Sequence, residues 1–353
     1  MNIDINLIEK MIEEGYISKK KHPEKNLFIY NYTNKCTFDK KWNEATEICR
    51  GLILDSENNI VALPFRKFFN LYENEKTMPN NLPNESFEAY TKEDGSMIET
   101  YFDGDKICFA TRGSFNSDQA IWANDYVKRK NINGFNKDYT YIFECIYKEN
   151  RIVTDYGNFE GLILLSVYDF KNNRELSREE IKRESEILEI PLVKSHKFNN
   201  INEIIKEMEN WNTLDEGFVI KFKNGFRVKI KSKKYLEVFK IIKGMTPLTI
   251  WNNMENGKVK KDFLEIVPEE FRDSLDIIVL ELENQYEKTY NRFKNTVNNL
   301  PAFSSYKDCA IYLKNTFNKE DFNPLMNLYR GWSIEKIIMG KIKPKNNKLN
   351  SEI

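Results

Sequence analysis

Between Asn26 and about Ile230 the chain breaks into short β-type runs separated by turn residues, and this texture limits its fold more than any other feature. The runs are Leu27–Tyr32, Leu52–Leu54, Ser86–Tyr90, Met97–Phe102, Lys106–Thr111, Tyr139–Tyr147, Gly161–Tyr168, Phe218–Phe222 and Phe226–Ile230. Asp103-Gly104-Asp105 and Asn224-Gly225 each separate two such runs, which predicts hairpins and therefore antiparallel sheets. Helical stretches intervene near Ser117–Lys130, Ser177–Leu188 and Ile201–Trp211, and Ser177 with Glu180 fits a capping box. Met1 to about Glu14 reads as an amphipathic helix. After Gly244 the pattern turns helical, over Phe263–Ile266, Ser274–Phe293, Tyr306–Phe317 and Ser333–Lys341. Leu275, Ile278, Val279, Leu282 and Tyr286 mark one face of the longest helix. The expected architecture is α+β: an antiparallel-sheet domain over residues 1–244, then an all-α domain over 245–353 with a frayed tail from Lys341.

Composition removes several function classes. Lys plus Arg number 54 and Asp plus Glu 54, so any surface for nucleic acid must be a local patch. The five cysteines are scattered without a Cys-x-x-Cys pair, which argues against a disulfide framework and a cysteine zinc site. Neither a leading apolar segment like a signal peptide nor an apolar run of about 18 residues occurs. A soluble, cytoplasmic protein without a membrane partner is expected. The only histidines, His22 and His196, sit in polar stretches and read as surface residues. Chemistry in such a chain must rest on Lys, Arg, Asp, Glu and Tyr.

Lys92-Glu93-Asp94-Gly95-Ser96 lies between two β-type runs. A lysine beside a glycine turn can aim its amine into a groove, because glycine lets backbone approach a ligand closely. On its own the pentapeptide fits a polar turn equally well. Glu144 falls inside an apolar strand, where a carboxylate requires a cation, metal or hydroxyl. Glu216 opens the strand Gly217-Phe218-Val219-Ile220. In the following strand, period-two alternation sets Arg227, Lys229 and Lys231 on one face. Those cations suit either a solvated edge or a polyphosphate. Together, a nucleophilic lysine, strand-borne carboxylates and a cationic strand are what a covalent lysyl–nucleotide enzyme requires. Its carboxylates would hold metal and ribose, and its cations would neutralise charge on the phosphates.

Taken in order, Lys92-Glu93-Asp94-Gly95, Phe143-Glu144, Glu216-Gly217 and Lys229-Ile230-Lys231 resemble the motifs of covalent nucleotidyltransferases, the polynucleotide ligases and mRNA capping enzymes. A narrower resemblance is to the T-even bacteriophage RNA ligase 1 family, also called RNA ligase A, which repairs cleaved tRNA. It rests on Cys49-Arg50-Gly51, on Lys67 through Asn74, on Lys92–Ser96 with Thr100 through Asp105, on Arg112-Gly113-Ser114, on Asn150 through Val153, and on Lys229 through Tyr235. The similarity covers roughly residues 27–240. It implies an antiparallel nucleotidyltransferase (ATP-grasp-like ligase) domain. It implies that Lys92 takes AMP from ATP, with Mg2+ or Mn2+ held at Glu144 and Glu216. Arg50, Lys67, Arg112, Lys229, Lys231 and Tyr235 would serve the phosphates or bound AMP. Tyr30 and Phe69 would pack near adenine, and Glu144 would hold the ribose or metal. Lys229, Lys231 and Glu216 would join Lys92 in the transfer steps. Arg112 departs from the family pattern, which has Lys there; Arg offers a planar fork rather than a point charge. The implied partners are RNA with 3′-OH and 5′-phosphate ends, including a cleaved tRNA anticodon loop, with the enzyme a monomer in a bacterial cell.

Other readings share parts of this pattern. DNA ligases and capping enzymes carry the same motifs, but usually continue into a β-rich domain where this chain turns helical. Asp155-Tyr156-Gly157 resembles a kinase metal motif, yet neither a glycine-rich loop nor a His-Arg-Asp sequence accompanies it. A non-catalytic RNA-binding protein would use the cationic strand and the aromatics. That reading leaves Lys92, Glu144 and Glu216 without a purpose.

Overall fold

The computed structural model describes residues 3–211, 213–244, 246–256 and 272–345. The chain divides into two compact units, Met1–Leu236 and Glu237–Ile353. This division lies inside a helix, Lys233–Gly244, and so precedes the 244/245 boundary expected from the change in texture. Helical periodicity runs through it without a break, so composition gives no mark there.

The first unit opens with α1 (Ile5–Glu13), capped by the Asp4 side chain on the Leu7 N–H. An antiparallel sheet follows, β1 (Ile17–Lys21), β2 (Leu27–Tyr32), β3 (Arg50–Asp55) and β4 (Ile60–Ala62), in that order. β1 was not foreseen, because its lysines read as loop; they suit an exposed edge strand that resists further pairing. Between β2 and β3 lie the short helices α2 (Asn34–Phe38) and α3 (Glu44–Ile48). One face of this sheet packs under α1 and α3 through Ile8, Met11, Ala45, Ile48, Leu52 and Leu54. Its other face meets Tyr101, Ala110 and Phe115 through Ile29, Ile53 and Ala62.

Two further sheets hold the site. The chain enters the first at β5 (Phe69–Asn70) and β6 (Phe87–Thr91), then crosses to the second at β7 (Ser96–Asp103) and β8 (Lys106–Thr111). α4 (Asp118–Lys130), β9 (Tyr139–Ile146), β10 (Gly161–Asp169), β11 (Arg174–Glu175) and α5 (Arg178–Leu188) follow. The second sheet has the order β11-β10-β9-β7-β8. The chain returns to the first through β12 (Ser195–His196), α6 (Ile201–Glu209), β13 (Gly217–Phe222) and β14 (Arg227–Lys231), giving the order β12-β6-β13-β14-β5. Every pairing is antiparallel except β14 with β5. The hairpins at Asp103-Gly104-Asp105 and Asn224-Gly225 form as expected, and so does the Ser177–Glu180 capping box.

Core packing decides which face of each strand meets the site. On β9, Tyr141, Phe143 and Cys145 pack into a cluster with Ala123 and Val127 of α4 and Ile181 and Leu188 of α5. The Phe, Val, Ile and Leu side chains among these contribute about 1.5–3 kcal/mol each when fully buried. Alternation then sends Glu144 to the opposite face. On β13, Phe218, Ile220 and Phe222 pack with Ile204 and Met208 of α6, which leaves Val219 on the other side.

In the second unit the described elements are helices: α8 (Pro247–Glu255), α9 (Arg272–Asn298), α10 (Tyr306–Thr316), α11 (Lys319–Tyr329) and α12 (Glu335–Lys341), after α7 (Lys233–Gly244). Leu275, Val279 and Leu282 of α9 are buried while Ile277 and Leu280 are exposed, matching the expected stripe. The Trp251 indole donates to the Met339 carbonyl at 2.8 Å. α11 was not foreseen because Pro324 lies inside it and reads as a breaker. The expected helix Phe263–Ile266 and the tail beyond residue 345 lie outside the described residues. Among those described, no helix is long and apolar enough to cross a membrane.

Candidate active site

Lys92 stands where the chain leaves one sheet for the other, just after β6 and shortly before β7. Its backbone N–H donates to the Gly217 carbonyl at 2.9 Å, which fastens the crossover to β13. Two glycines make the close approach possible. A Cβ at Gly95 would lie 2.6 Å from the Cys145 carbonyl oxygen. Gly217 has φ +143°, and a Cβ there would lie 2.0 Å from the Ile230 carbonyl oxygen. Neither neighbour is a flexible side-chain tip, so no larger residue fits without moving a strand.

The Lys92 ammonium donates to Glu216 Oε2 at 2.6 Å, and Lys231 Nζ lies 2.6 Å from Glu216 Oε1. Glu216 is buried, and a lone carboxylate there would be costly; two cations on its two oxygens offset that cost. Lys92, Arg50, Glu144 and Lys229 line one cleft with Phe68 and Met97. Two cations approach the Phe68 ring, with Arg50 Cζ 5.8 Å and Lys229 Nζ 5.7 Å from its centroid.

Burial and the neighbouring charges of Lys67, Lys92, Arg50 and Lys231 lower the Lys229 ammonium to about 7. Burial also pulls Arg50 down, helped by the nearby Arg112 guanidinium. Such a gathering of cations is unfavourable until an anion joins it. On the opposite sheet burial raises Glu144 to about 8, against the attraction of Lys92. Its Oε1 accepts from the Gly95 N–H at 3.1 Å, and its Oε2 has no partner among the described residues.

Of the two carboxylates expected to hold a divalent cation, Glu144 has an oxygen free for it and Glu216 does not. Among the described residues no three His, Cys, Asp or Glu side chains gather to hold an ion. Glu144 offers one open hard oxygen facing the cleft. Glu216, expected as a second metal ligand, has both oxygens committed to lysines in this arrangement. An ion here would therefore sit on Glu144 and take its other ligands from phosphate and water, which is usual for magnesium.

The remaining expected residues divide. Lys67 Nζ lies 4.4 Å above the Phe69 ring and 3.7 Å from Glu73, and Phe69 pairs alongside Val228 next to Lys229. Both are thus beside the cationic strand. Arg112 donates to the Tyr32 hydroxyl at 2.9 Å. Tyr30 is not brought to the cleft: it is buried in the core under α1, with Lys19 Nζ 5.4 Å from its ring. A register shift at Tyr30/Asn31 separates it from Tyr32, the residue that does reach the arginines. Tyr235 lies beside the cationic strand, with its hydroxyl committed elsewhere. Its hydroxyl donates to Asp94 Oδ1 at 2.6 Å while its ring lies 5.2 Å beneath Lys231 Nζ.

Asp94 was missed as a site residue. It also accepts from the Val153 and Thr154 N–H groups, each at 2.8 Å, and so holds the turn that carries Lys92. Its own N–H donates to the Tyr156 hydroxyl at 2.7 Å, and that hydroxyl donates to Glu93 at 3.0 Å. The signal available in sequence was an aspartate directly before a glycine turn. The histidines are half-buried rather than freely solvated. His22 contacts the Tyr101 hydroxyl at 3.2 Å and packs on Phe115; His196 contacts Thr91 Oγ1 at 2.8 Å and packs on Phe218. Neither lines the cleft.

Comparison with known proteins supplies an independent line. A family model described as RNA ligase matches residues 48–235. An RNA ligase of Rhodothermus phage RM378 is 24% identical over 356 residues, covering 80% of this chain and 79% of that protein. A protein of Autographa californica nuclear polyhedrosis virus, named as a candidate bifunctional polynucleotide kinase/RNA ligase, is 26% identical over 289 residues. That match covers 74% of this chain but only 40% of the viral protein's length. Among solved structures, the RNA ligase of Naegleria gruberi with pyrophosphate is similar at 21% identity and a TM-score of 0.35, over 44% of this chain and 52% of that one.

Proposed function

The chain belongs to the RNA ligase family of the T-even phage type, and from that membership we propose that it joins RNA 3′-hydroxyl and 5′-phosphate ends, using ATP and a lysyl-AMP adduct on Lys92. The observation that carries this reading is the Lys92 amine in a cleft with Arg50, Lys229 and Glu144, hydrogen-bonded to Glu216 at 2.6 Å.

In the first step the Lys92 ammonium gives up a proton, for which Glu216 is the hydrogen-bonded acceptor. Nζ then attacks the α-phosphorus of ATP. A P–N bond forms, the α–β bridging P–O bond breaks, and pyrophosphate leaves. Arg50 and Lys229, with Lys67 and Arg112 near them, neutralise the phosphates as charge develops. Once Lys92 carries AMP as a phosphoramidate its charge is gone, and Glu216 retains Lys231. In the second step an oxygen of an RNA 5′-phosphate attacks the adduct phosphorus, and the P–N bond breaks. In the third, a 3′-hydroxyl attacks the activated 5′-phosphorus and gives its proton to solvent; a phosphodiester P–O bond forms, the P–O bond bridging to AMP breaks, and AMP departs. Magnesium or manganese on Glu144 would polarise phosphate oxygens.

The physiological RNA in this reading is a broken strand such as a cleaved tRNA anticodon loop, and residues 245–353 set that preference. Deletion of 245–353 that left RNA choice unchanged would remove this assignment. The primary test is the intact mass of the protein after incubation with ATP and magnesium. A gain of one AMP, absent in Lys92→Ala, is expected. No adduct with ATP in magnesium or manganese would overturn the proposal.

A further inference from the structure

The Lys92 cleft changes character along β14. Lys231 meets Glu216 beside Lys92, Lys229 lies in the middle, and Arg227 meets Glu175. At about 3.3 Å per residue, Arg227 stands about 13 Å from Lys231 along the strand. The lining also includes the apolar side chains Leu165, Val193 and Val219, the last paired with Lys229 one step along the strand from Arg227. Glu175 and Tyr90 bring polar atoms to these walls. A nucleotide whose phosphate lies at Lys92 would place its base here, the flat ring against aliphatic side chains and its polar edge toward Glu175.

Glu175 is built unevenly. Its Oε1 takes three donors, the Ser166 hydroxyl, Arg227 Nη2, and Lys221 Nζ at 3.1 Å. Its Oε2 has no partner among the described residues, although the side chain lines the cleft. Burial pushes this carboxyl up, but Arg227 and Lys221 outweigh burial and hold it down at about 2. The open oxygen is therefore an ionised acceptor at any working pH. Close by, Arg178 gives Nη2 to the Val193 carbonyl at 2.6 Å and stacks on Tyr90, and its buried Nη1 has no partner.

An ionised acceptor selects among bases. Adenine presents its 6-amino donor beside a ring-nitrogen acceptor, whereas guanine presents an oxygen at the same position. In the same pose that oxygen would face the carboxylate and leave it unpaired, since guanine's donors, N1–H and the 2-amino group, lie further along its edge. We propose that Glu175 selects adenine over guanine nucleotides, its Oε2 accepting a hydrogen bond from the 6-amino group. The inference rests on the adenylylation reading above.

Adduct formation tests it with ATP, GTP and purine riboside triphosphate, which lacks the 6-amino group. Wild-type protein should prefer ATP over the amino-less analogue by about tenfold or more, through KM with kcat little changed. In Glu175→Gln that preference should shrink severalfold, and GTP should gain relative to ATP. Equal KM for ATP and the analogue in wild-type protein would overturn the inference without any variant. So would an amino-group preference that persists undiminished in Glu175→Gln. No adduct with any nucleotide would instead strike the ligase reading, so the two failures are separate.

Discussion

Glu216 holds Lys92 and Lys231 at once, each ammonium 2.6 Å from a different carboxylate oxygen. The nucleophile is thus positioned before substrate arrives, and its reaction requires leaving one of those bonds. Lys92→Ala should abolish the AMP adduct and also cost about 1–3 kcal/mol of stability, because a buried carboxylate loses half its pairing. Lys231→Ala should keep the fold and slow adduct formation by about a hundredfold. Intact mass and denaturant titration read these two effects. A normal adduct rate in Lys231→Ala would leave that lysine with a packing role alone.

The Tyr235 hydroxyl serves Asp94, which sets Tyr235→Phe apart from a loss of phosphate binding. The ring under Lys231 remains in phenylalanine, and only the bond to a buried carboxylate disappears. Stability should fall by about 1.5–3 kcal/mol, the range for hydrogen bonds to charged groups. KM for ATP should change little. A large rise in KM with unchanged unfolding would return Tyr235 to the phosphates.

Gly217→Ala should be more harmful than any loss of a single charge. The new Cβ would meet a backbone oxygen at 2.0 Å, at a φ that favours glycine. Relief requires β13 and β14 to separate beside Glu216. The expected outcome is insoluble protein, or a folded protein without adduct, as read by expression and intact mass. A soluble variant with normal adenylylation would show that the strands can part freely.

Lys92, Glu144, Glu216, Lys229 and Lys231 were legible in the sequence because strand alternation and a glycine turn are local patterns. Glu144 is exceptional for an apolar strand, and that oddity marked it together with the Phe143-Glu144 motif. Asp94 was not legible in the same way. Its bonds reach Thr154 and Tyr235, separated from it by 60 and 141 residues, and no local rule joins them. Tyr30 was placed near adenine by resemblance alone, and the core position it takes under α1, next to the register shift at Tyr30/Asn31, is not visible in a motif. Glu175 belongs to none of the motifs read from the sequence. Only the fold sets Arg227 and Lys221 against it.

Lys229, lowered to about 7, makes ATP binding pH-dependent. In the free protein it is mostly neutral at pH 8, and triphosphate oxygens would favour its charged form. Binding at pH 8 should therefore take up a proton, and binding at pH 6 should take up much less. Calorimetry in buffers of different ionisation enthalpy measures this uptake, which Lys229→Met should remove. The unfolded lysine titrates near 10.4, above the folded value. The unfolded chain then holds more protons across that interval, so this group raises stability as pH climbs from about 7 to 10.4. Its contribution is lost as pH falls through 7. Equal proton uptake by wild type and Lys229→Met would contradict this account.

Glu99 sets the opposite slope. It is fully buried on β7, neither carboxyl oxygen has a hydrogen-bond partner, and burial holds it well above the usual carboxylate range despite Arg50 nearby. The folded state therefore keeps a proton that the unfolded chain releases near 4.3. Stability from this group is complete below that pH and declines as pH rises above it. Glu99→Gln keeps the shape and removes the ionisation. It should be more stable than the parent by about 1–2 kcal/mol at pH 8, with the gain shrinking toward pH 4. Urea unfolding at several pH values checks the trend. A gain that stayed constant with pH would mean the carboxyl is not held protonated, and a loss at pH 8 would mean that the charged form is used, with Arg50 as its partner.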